Sequence, residues 1–230
     1  MTAPTHPAGL WQRSVAWTLD ATLLGPLSLM LTWPFLGATA GAFTRDMNQL
    51  LASYGDAMGR AIIDGTPLPA LAMTLLHDPA LRQAVSGLDT ALWSVVWPPG
   101  ACFAGLSAIY HVAFECGPWQ ATPGQRLMGL HVTDNQRQRL RPGQALLRHF
   151  AGAASWLTLN IGHLMAAAPP ALRSLHDRLS RTHVWTSTPQ LPAWALAWLV
   201  LIAISQLALI AWWMANAMET MQAALEQSLR

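Results

Sequence analysis

Three segments of this chain are long and apolar enough to cross a lipid bilayer, and they limit its possible folds more than any other feature. They cover residues 14–37, 90–114 and 192–216. About 20 apolar residues in a helix span the roughly 30 Å of hydrocarbon in a bilayer. Because only helices and closed barrels satisfy their backbone hydrogen bonds in lipid, the segments predict an all-α transmembrane helical bundle.

The composition agrees with a membrane protein. Charged residues make up 10% of the chain and hydrophobic residues 53%, whereas a soluble domain carries about 25% charged residues. Several tryptophans bracket the apolar segments, as Trp11 and Trp33 do around the first. Indole rings prefer the headgroup layer, so this placement predicts aromatic belts at the membrane surfaces.

A fourth segment, residues 149–169, is long enough to cross but carries Asn160 and His163 and ends in two prolines. Arginine is common on both sides of it. Arginine near a membrane end favours the cytoplasmic side, and a crossing helix would place one basic flank outside. We favour a re-entrant or interfacial helix, and a spanning helix remains the alternative.

Loop charge also predicts the orientation. Residues 117–148 contain five arginines and residues 38–88 have no positive excess, so the former are expected in the cytoplasm, together with the N-terminus. The outer loop 38–88 has helical periodicity before the break "DGTPLP", and a second helix, from about residue 68 to 86, is expected after it. These two helices either lie on the membrane or dock a partner. In the basic loop, turn residues Asp134 and Asn135 predict a small cytoplasmic β-hairpin.

Two groups of ionisable residues are candidates for a site. Asp20 lies inside the first apolar segment, seven residues after Arg13 on the same helical face. A carboxylate at membrane depth indicates an ion or proton site, or a buried ion pair that fixes helix register. His111 and Glu115 are four residues apart at the end of the second segment. They form either a proton-accepting pair with Asp20 or a hydrogen-bonded pair at the interface.

The sequence around the basic loop resembles the RDD family of bacterial membrane proteins. The resemblance rests on "TPGQRLMGLHV", "ALLR" and the closing "RSLHDRLSRTHVW", and it covers residues 9–187. The family is named after one arginine and two aspartates, which the resemblance places at Arg13, Asp20 and Asp177. The motif positions are Thr122, Gly124, Arg126, Gly129 and Arg148. Gln125 stands where the family usually has lysine, and residues 188–230 form an additional transmembrane helix with a short tail.

The resemblance implies a multi-pass protein of the bacterial inner membrane, with cation/proton exchange proposed for some members. We therefore expect a small transporter or cation/proton exchanger in which Arg13, Asp20 and Asp177 form one network, and a non-transporting accessory or scaffold subunit is the alternative. Anionic lipid headgroups and a second copy or membrane partner are the expected partners. The sequence contains no recognisable nucleophile, metal-ligand spacing or cofactor fingerprint. An enzyme, a metal or cofactor site and nucleic-acid binding are accordingly not expected.

Overall fold

A computed structural model describes residues 6–170, 172–188 and 190–228. In chain order the helices are α1 (Leu10–Ile63), α2 (Leu68–His77), α3 (Pro79–Glu115), α4 (Pro123–Leu127), α5 (Pro142–Leu157), α6 (Ile161–Leu164), α7 (Leu175–Leu179) and α8 (Ala193–Ser228). The strands are β1 (His6–Pro7), β2 (Leu130–Asp134) and β3 (Thr182–Thr186), and a 3₁₀ turn covers Met165–Ala167.

Among the described residues, three helical stretches have the length and hydropathy of membrane spans: Leu10–Gly37, Pro79–Glu115 and Ala193–Ala223. They contain the three segments predicted from the sequence, apart from residue 192, so the helical transmembrane fold class is confirmed. The second span starts eleven residues earlier than predicted, at Pro79 instead of residue 90.

The outer helices differ from the prediction. The first is a continuation of the first span, because α1 runs without interruption to Ile63. The predicted break at "DGTPLP" is present, where Gly65 has a positive φ and Pro67 caps α2. The second outer helix, predicted over 68–86, is split at Asp78 into α2 and the start of α3. A helical period cannot reveal whether neighbouring helices are continuous, which explains the error.

The chain divides into two compact units. The first contains residues 1–30 and 101–201, and the second contains residues 31–100 and 202–230. The first unit holds all three strands and the short helices α4 to α7. Its core is built mainly from small and β-branched residues of α1, β2 and β3, including Val15, Ala16, Leu130, Val132 and Val184.

The small β element is a three-stranded antiparallel sheet of order β1-β3-β2. The predicted hairpin pairing is wrong, although the turn after Asp134 is present, where the backbone N–H of Arg137 donates to the Asp134 carbonyl at 3.1 Å. Strand β2 pairs with β3 instead, with Leu130 opposite Thr186 and Asp134 opposite Thr182. Alternation places Val184 in the core, while Trp185 lies on the other face.

Residues 149–169 do not form one helix. Helix α5 ends at Leu157, and Leu159 and Asn160 then adopt positive φ angles, which turn the chain before α6. The chain then returns along α5, because a Cβ on Gly152 of α5 would lie 3.6 Å from the His176 Nδ1 of α7. Near the start of α5, the Gln144 amide donates to the Ser180 carbonyl at 2.9 Å. The residues that follow the segment therefore lie beside the start of α5, where the segment's other flank also lies.

Candidate functional site

The first unit holds a chain of buried polar side chains that begins at Asp20. Asp20 is 3% exposed. Its Oδ1 accepts hydrogen bonds from the Tyr110 hydroxyl at 2.7 Å and the Gly124 backbone N–H at 2.8 Å, and its Oδ2 accepts one from the Thr122 hydroxyl at 2.5 Å. All three donors are uncharged. The carboxylate of the first span is thus bound by neutral groups from α3 and the α4 turn.

The α4 turn owes its position to a capping box. Thr122 caps the helix by accepting from the Gln125 backbone N–H, while the Gln125 side chain accepts from the Thr122 backbone N–H. Pro123 occupies the first helical position, where its missing N–H is not needed. Gly124 allows the turn to touch α1, because a Cβ there would lie 2.8 Å from the Asp20 Cγ. The turn is therefore shaped to present one hydroxyl and one N–H to Asp20.

Gln125 connects this turn to Glu115. Its amide donates to the Glu115 Oε1 at 3.1 Å. The other Glu115 oxygen lies 3.3 Å from the Arg148 Nε, in an ion pair in which both side chains are less than a tenth exposed. A neutral glutamine, which replaces the lysine common in the family, thus leaves Glu115 with Arg148 as its cation.

Asp177 is fully buried and binds two arginines. Its Oδ2 lies 2.5 Å from the Arg13 Nη1, and its Oδ1 pairs with the Arg148 Nη1. Burial acts to raise the pKa of the Asp177 carboxyl, but Arg13 and Arg148 outweigh burial and hold that pKa well below its ordinary value. Asp177 is therefore a permanent anion at neutral pH.

Three further oxygen atoms hold the two arginines in place. Arg13 also donates to the carbonyl oxygens of Ala8 at 3.0 Å and Leu172 at 2.9 Å. Arg148 donates to the Thr182 hydroxyl at 3.0 Å. These contacts join α1, α5, α7 and β3 around one carboxylate, which makes Asp177 a structural centre of the unit.

The histidines lie beside this cluster. His176 has its Nε2 3.6 Å from the Asp177 Oδ1. Burial and the nearby Arg148 guanidinium lower the pKa of His176 well below its ordinary value, so the ring is neutral at pH 7. His111 packs its ring on that of His149, with 5.5 Å between the centroids. The partners of Glu115 are Gln125 and Arg148 rather than His111, so the predicted pairing of His111 with Glu115 is not seen among the described contacts.

The structure places the predicted residues as follows. Arg13 and Asp177 form an ion pair, whereas the three partners of Asp20 include no arginine. Thr122 and Gly124 bind Asp20, and Arg148 bridges Glu115 and Asp177. Arg126 is exposed and stacks on Trp119, and Gly129 has φ +66° just before β2. No group of three or more metal-ligating side chains occurs in the described part of the chain.

Sequence reasoning missed Tyr110 and the roles of Gln125 and Ser174. Two signals for the last two were present, since Thr122-x-x-Gln125 follows the capping-box pattern and Ser174-x-x-Asp177 is close to it. The structure has both boxes. Tyr110 is one of only two tyrosines in the chain, and it precedes His111 directly. A hydroxyl inside an apolar span needs a partner, and Asp20 was the available carboxylate.

Comparison with known proteins agrees with these motifs. The pattern of the RDD family matches residues 7–181. The uncharacterized protein YxaI of Bacillus subtilis strain 168 is 32% identical over 79 residues, which cover 34% of this chain and 52% of that protein. The match thus spans about half of the length of that relative. No solved structure matches the chain. Since the family pattern covers three quarters of the chain, including the buried cluster from Arg13 to Asp177, the protein belongs to the RDD family.

Proposed function

We propose that this protein is a small transporter that exchanges a cation for protons across the membrane, with Asp20 as the group that binds them. The observation that carries the proposal is the setting of that carboxylate. It is buried within the first span and receives three hydrogen bonds, all from neutral donors. An ionisable side chain at membrane depth is by default a candidate for an ion pathway.

The charges around Asp20 support this assignment. Among the described ion pairs of this unit, two arginines, Arg13 and Arg148, pair with two carboxylates, Glu115 and Asp177. Their formal charges cancel. Asp20 is left with a negative charge that no contacting arginine offsets, and a buried charge of this kind is costly unless a proton or cation neutralises it.

The hydrogen bonds of Asp20 leave one acceptor position for a proton or cation. Oδ1 accepts two hydrogen bonds, whereas Oδ2 accepts one, from Thr122. A carboxylate oxygen has two lone pairs, so Oδ2 retains one that can accept a proton or contact a cation. Thr122 and Tyr110 hold the carboxylate in one orientation. Competition between a proton and a cation for this oxygen is the simplest basis of exchange.

A flux assay in proteoliposomes tests the proposal. When a Na⁺ or K⁺ gradient is imposed, the wild-type protein should move protons in the direction opposite to the cation. Asp20→Asn should abolish this flux. The amide keeps the size of the side chain and can still accept from Tyr110 and Gly124, so the variant should stay folded. Asp64→Asn is the matched control, since Asp64 is exposed beyond the end of α1, and it should keep full activity. A folded wild type that moves neither cation nor proton would disprove ion exchange.

An accessory or scaffold role is the second candidate, and α8 is the observation that favours it. Helix α8 lies outside the residues that match the family, and only 6% of its most apolar stretch, within Ala193–Ala223, is buried. Lipid, a second copy or another membrane protein can cover this face. A homo-oligomer would serve either function, because three spans enclose little cavity. Absence of flux together with a stable complex formed through α8 would favour the scaffold.

A further inference from the structure

A small cavity lies where the second span ends. It has a volume of about 300 Å³ and is lined by Ala113, Phe114, Gly117, Pro118 and Trp119. The span itself ends at Glu115. Residues that directly follow a membrane span lie at the depth of the lipid headgroups, where tryptophan is enriched. The cavity is thus apolar and placed at the membrane interface.

An arginine stacks on Trp119, one of the residues that line this cavity. The Arg126 Cζ lies 4.5 Å from the centre of the Trp119 ring, and Phe114 stacks on the same indole at 5.7 Å. Stacking holds the flat guanidinium in place and leaves its N–H edges for other partners. Arg126 is exposed, and no carboxylate among the described residues lies within ion-pair distance of it. Arg13 and Arg148 of the same unit, in contrast, pair with carboxylates.

The surface beside Arg126 is apolar as well. Trp119 is 43% exposed, and Leu127, the next residue after Arg126, is 68% exposed. The fixed positive charge of Arg126 therefore lies next to Trp119 of the apolar cavity and next to the apolar side chain of Leu127. A phospholipid has the complementary order of groups, with a phosphate next to the glycerol backbone and the acyl chains. An inorganic phosphate ion has no apolar group that could pack against the lining of the cavity.

We propose that Arg126, Trp119 and the cavity at the end of α3 bind an anionic phospholipid. The guanidinium edge donates to the lipid phosphate, and the carbons next to the glycerol backbone occupy the cavity. Charge-assisted N–H to phosphate bonds favour arginine, and the planar guanidinium can form two of them. This site is separate from the Asp20 carboxylate and does not depend on the proposed transport activity.

Native mass spectrometry of the full-length protein in a neutral detergent provides the test, with phosphatidylglycerol as the probe. Arg126→Gln should weaken phosphatidylglycerol binding about fivefold, the change expected when one basic residue near an anionic lipid surface is lost. Arg137→Gln is the matched control. Arg137 also stacks on an indole, that of Trp185, at 4.4 Å, but neither residue lines the cavity. It should leave the affinity unchanged.

A second variant tests the cavity independently of charge. Ala113→Trp fills the cavity from an exposed position on α3 and leaves Arg126 in place. It should also weaken phosphatidylglycerol binding, while a large excess of inorganic phosphate should not displace the lipid from wild type. Equal losses for Arg126→Gln and Arg137→Gln would show unspecific attraction and overturn the proposal. Unchanged affinity in either Arg126→Gln or Ala113→Trp would overturn it as well.

Discussion

At the residue scale, two buried carboxylates of the first unit have opposite environments. Asp177 contacts two arginines, while Asp20 contacts a tyrosine, a threonine and a backbone N–H. The charge of Asp177 is therefore neutralised by arginines, whereas the charge of Asp20 is stabilised only by hydrogen bonds from neutral groups. This division gives Asp177 a structural role, and it is the reason why we propose Asp20 as the ion-binding carboxylate.

The ion pair between Arg13 and Asp177 yields a stability prediction. Loss of one partner of a buried pair strands the other charge and typically costs about 3–5 kcal/mol. Arg13→Ala and Asp177→Ala should each lower the free energy of unfolding in detergent by about this amount. The double variant should lose less than the sum, because the shared interaction can be removed only once. Thermal or denaturant unfolding monitored by circular dichroism measures all three.

An exposed ion pair of the second unit provides the control. The Arg60 Nη2 lies 3.1 Å from the Asp78 Oδ2, and the Arg60 side chain is 57% exposed. Solvent screens such pairs, so Arg60→Ala should change the unfolding transition little. Full additivity of Arg13→Ala and Asp177→Ala would mean that the two residues do not interact in the folded protein.

At the scale of single elements, the membrane spans could be predicted and the sheet could not. A span is a local property, because length and apolar content within one segment decide it. The partner of β2 is instead 48 residues further along the chain, and no local pattern encodes that distance. The sequence favoured the nearer partner, which produced the wrong hairpin. The helix break at Asn160 was anticipated only as the turning point of a re-entrant segment.

The site shows the same limit. Arg13, Asp20, Thr122, Gly124 and Arg148 were singled out from a resemblance to the RDD family or from their depth in an apolar run. A network of Arg13, Asp20 and Asp177 was predicted, and the structure pairs Arg13 with Asp177, 164 residues away, but gives Asp20 only neutral donors. The partners of Asp20 and Arg148 were not evident, since they depend on where α4, α5 and α7 pack against α1.

The contact between the α4 turn and α1 leads to a prediction about Gly124. A Cβ at this position would lie 2.8 Å from the Asp20 Cγ and would also meet the Ala16 carbonyl, so Gly124→Ala should push the turn away from α1. We expect a destabilisation of about 1–3 kcal/mol, the usual cost of overpacking, and loss of the Thr122 and Gly124 hydrogen bonds to Asp20. The measurement is the midpoint of thermal unfolding, compared with wild type.

Gly143 provides a matched substitution in a neighbouring helix. It lies in the first turn of α5, and a Cβ there would meet nothing within 4 Å. Gly143→Ala should be neutral or slightly stabilising, because alanine restricts the unfolded chain without a clash. If Gly124→Ala were as stable as Gly143→Ala, the close approach of the α4 turn to Asp20 would not exist in solution.

At the scale of the whole molecule, the return of the chain along α5 bears on membrane topology. The contacts of Gln144 with Ser180 and of Arg148 with Asp177 bring the two basic flanks of residues 149–169 together beside the first half of α5. This arrangement supports a re-entrant or interfacial segment over one that crosses. Residues 117–148 and 173–181 then lie on the same side of the membrane, as the arginines in both stretches predict.

Cysteine labelling in intact cells tests this topology. In a background with Cys102 and Cys116 replaced by serine, Asn135→Cys and Arg178→Cys should both be protected from an impermeant reagent added outside. Both positions are exposed, so protection would reflect the membrane and not burial. Asp64→Cys, in the loop expected outside, should react and serves as the positive control. External labelling at Arg178→Cys would show that residues 149–169 cross the bilayer.

The order β1-β3-β2 in the sheet also constrains the sequence of events during synthesis. Strand β3 lies between its two partners, so neither β1 nor β2 has a neighbour until residues 182–186 have left the ribosome. By then the first two spans have been delivered to the insertion machinery, while the third, which begins at Ala193, has not. The sheet and the ion pairs of Asp177 can therefore close only on a chain with its first two spans already translated. A nascent chain that stops before Asp177 therefore has neither β3 nor the carboxylate that pairs with Arg13 and Arg148.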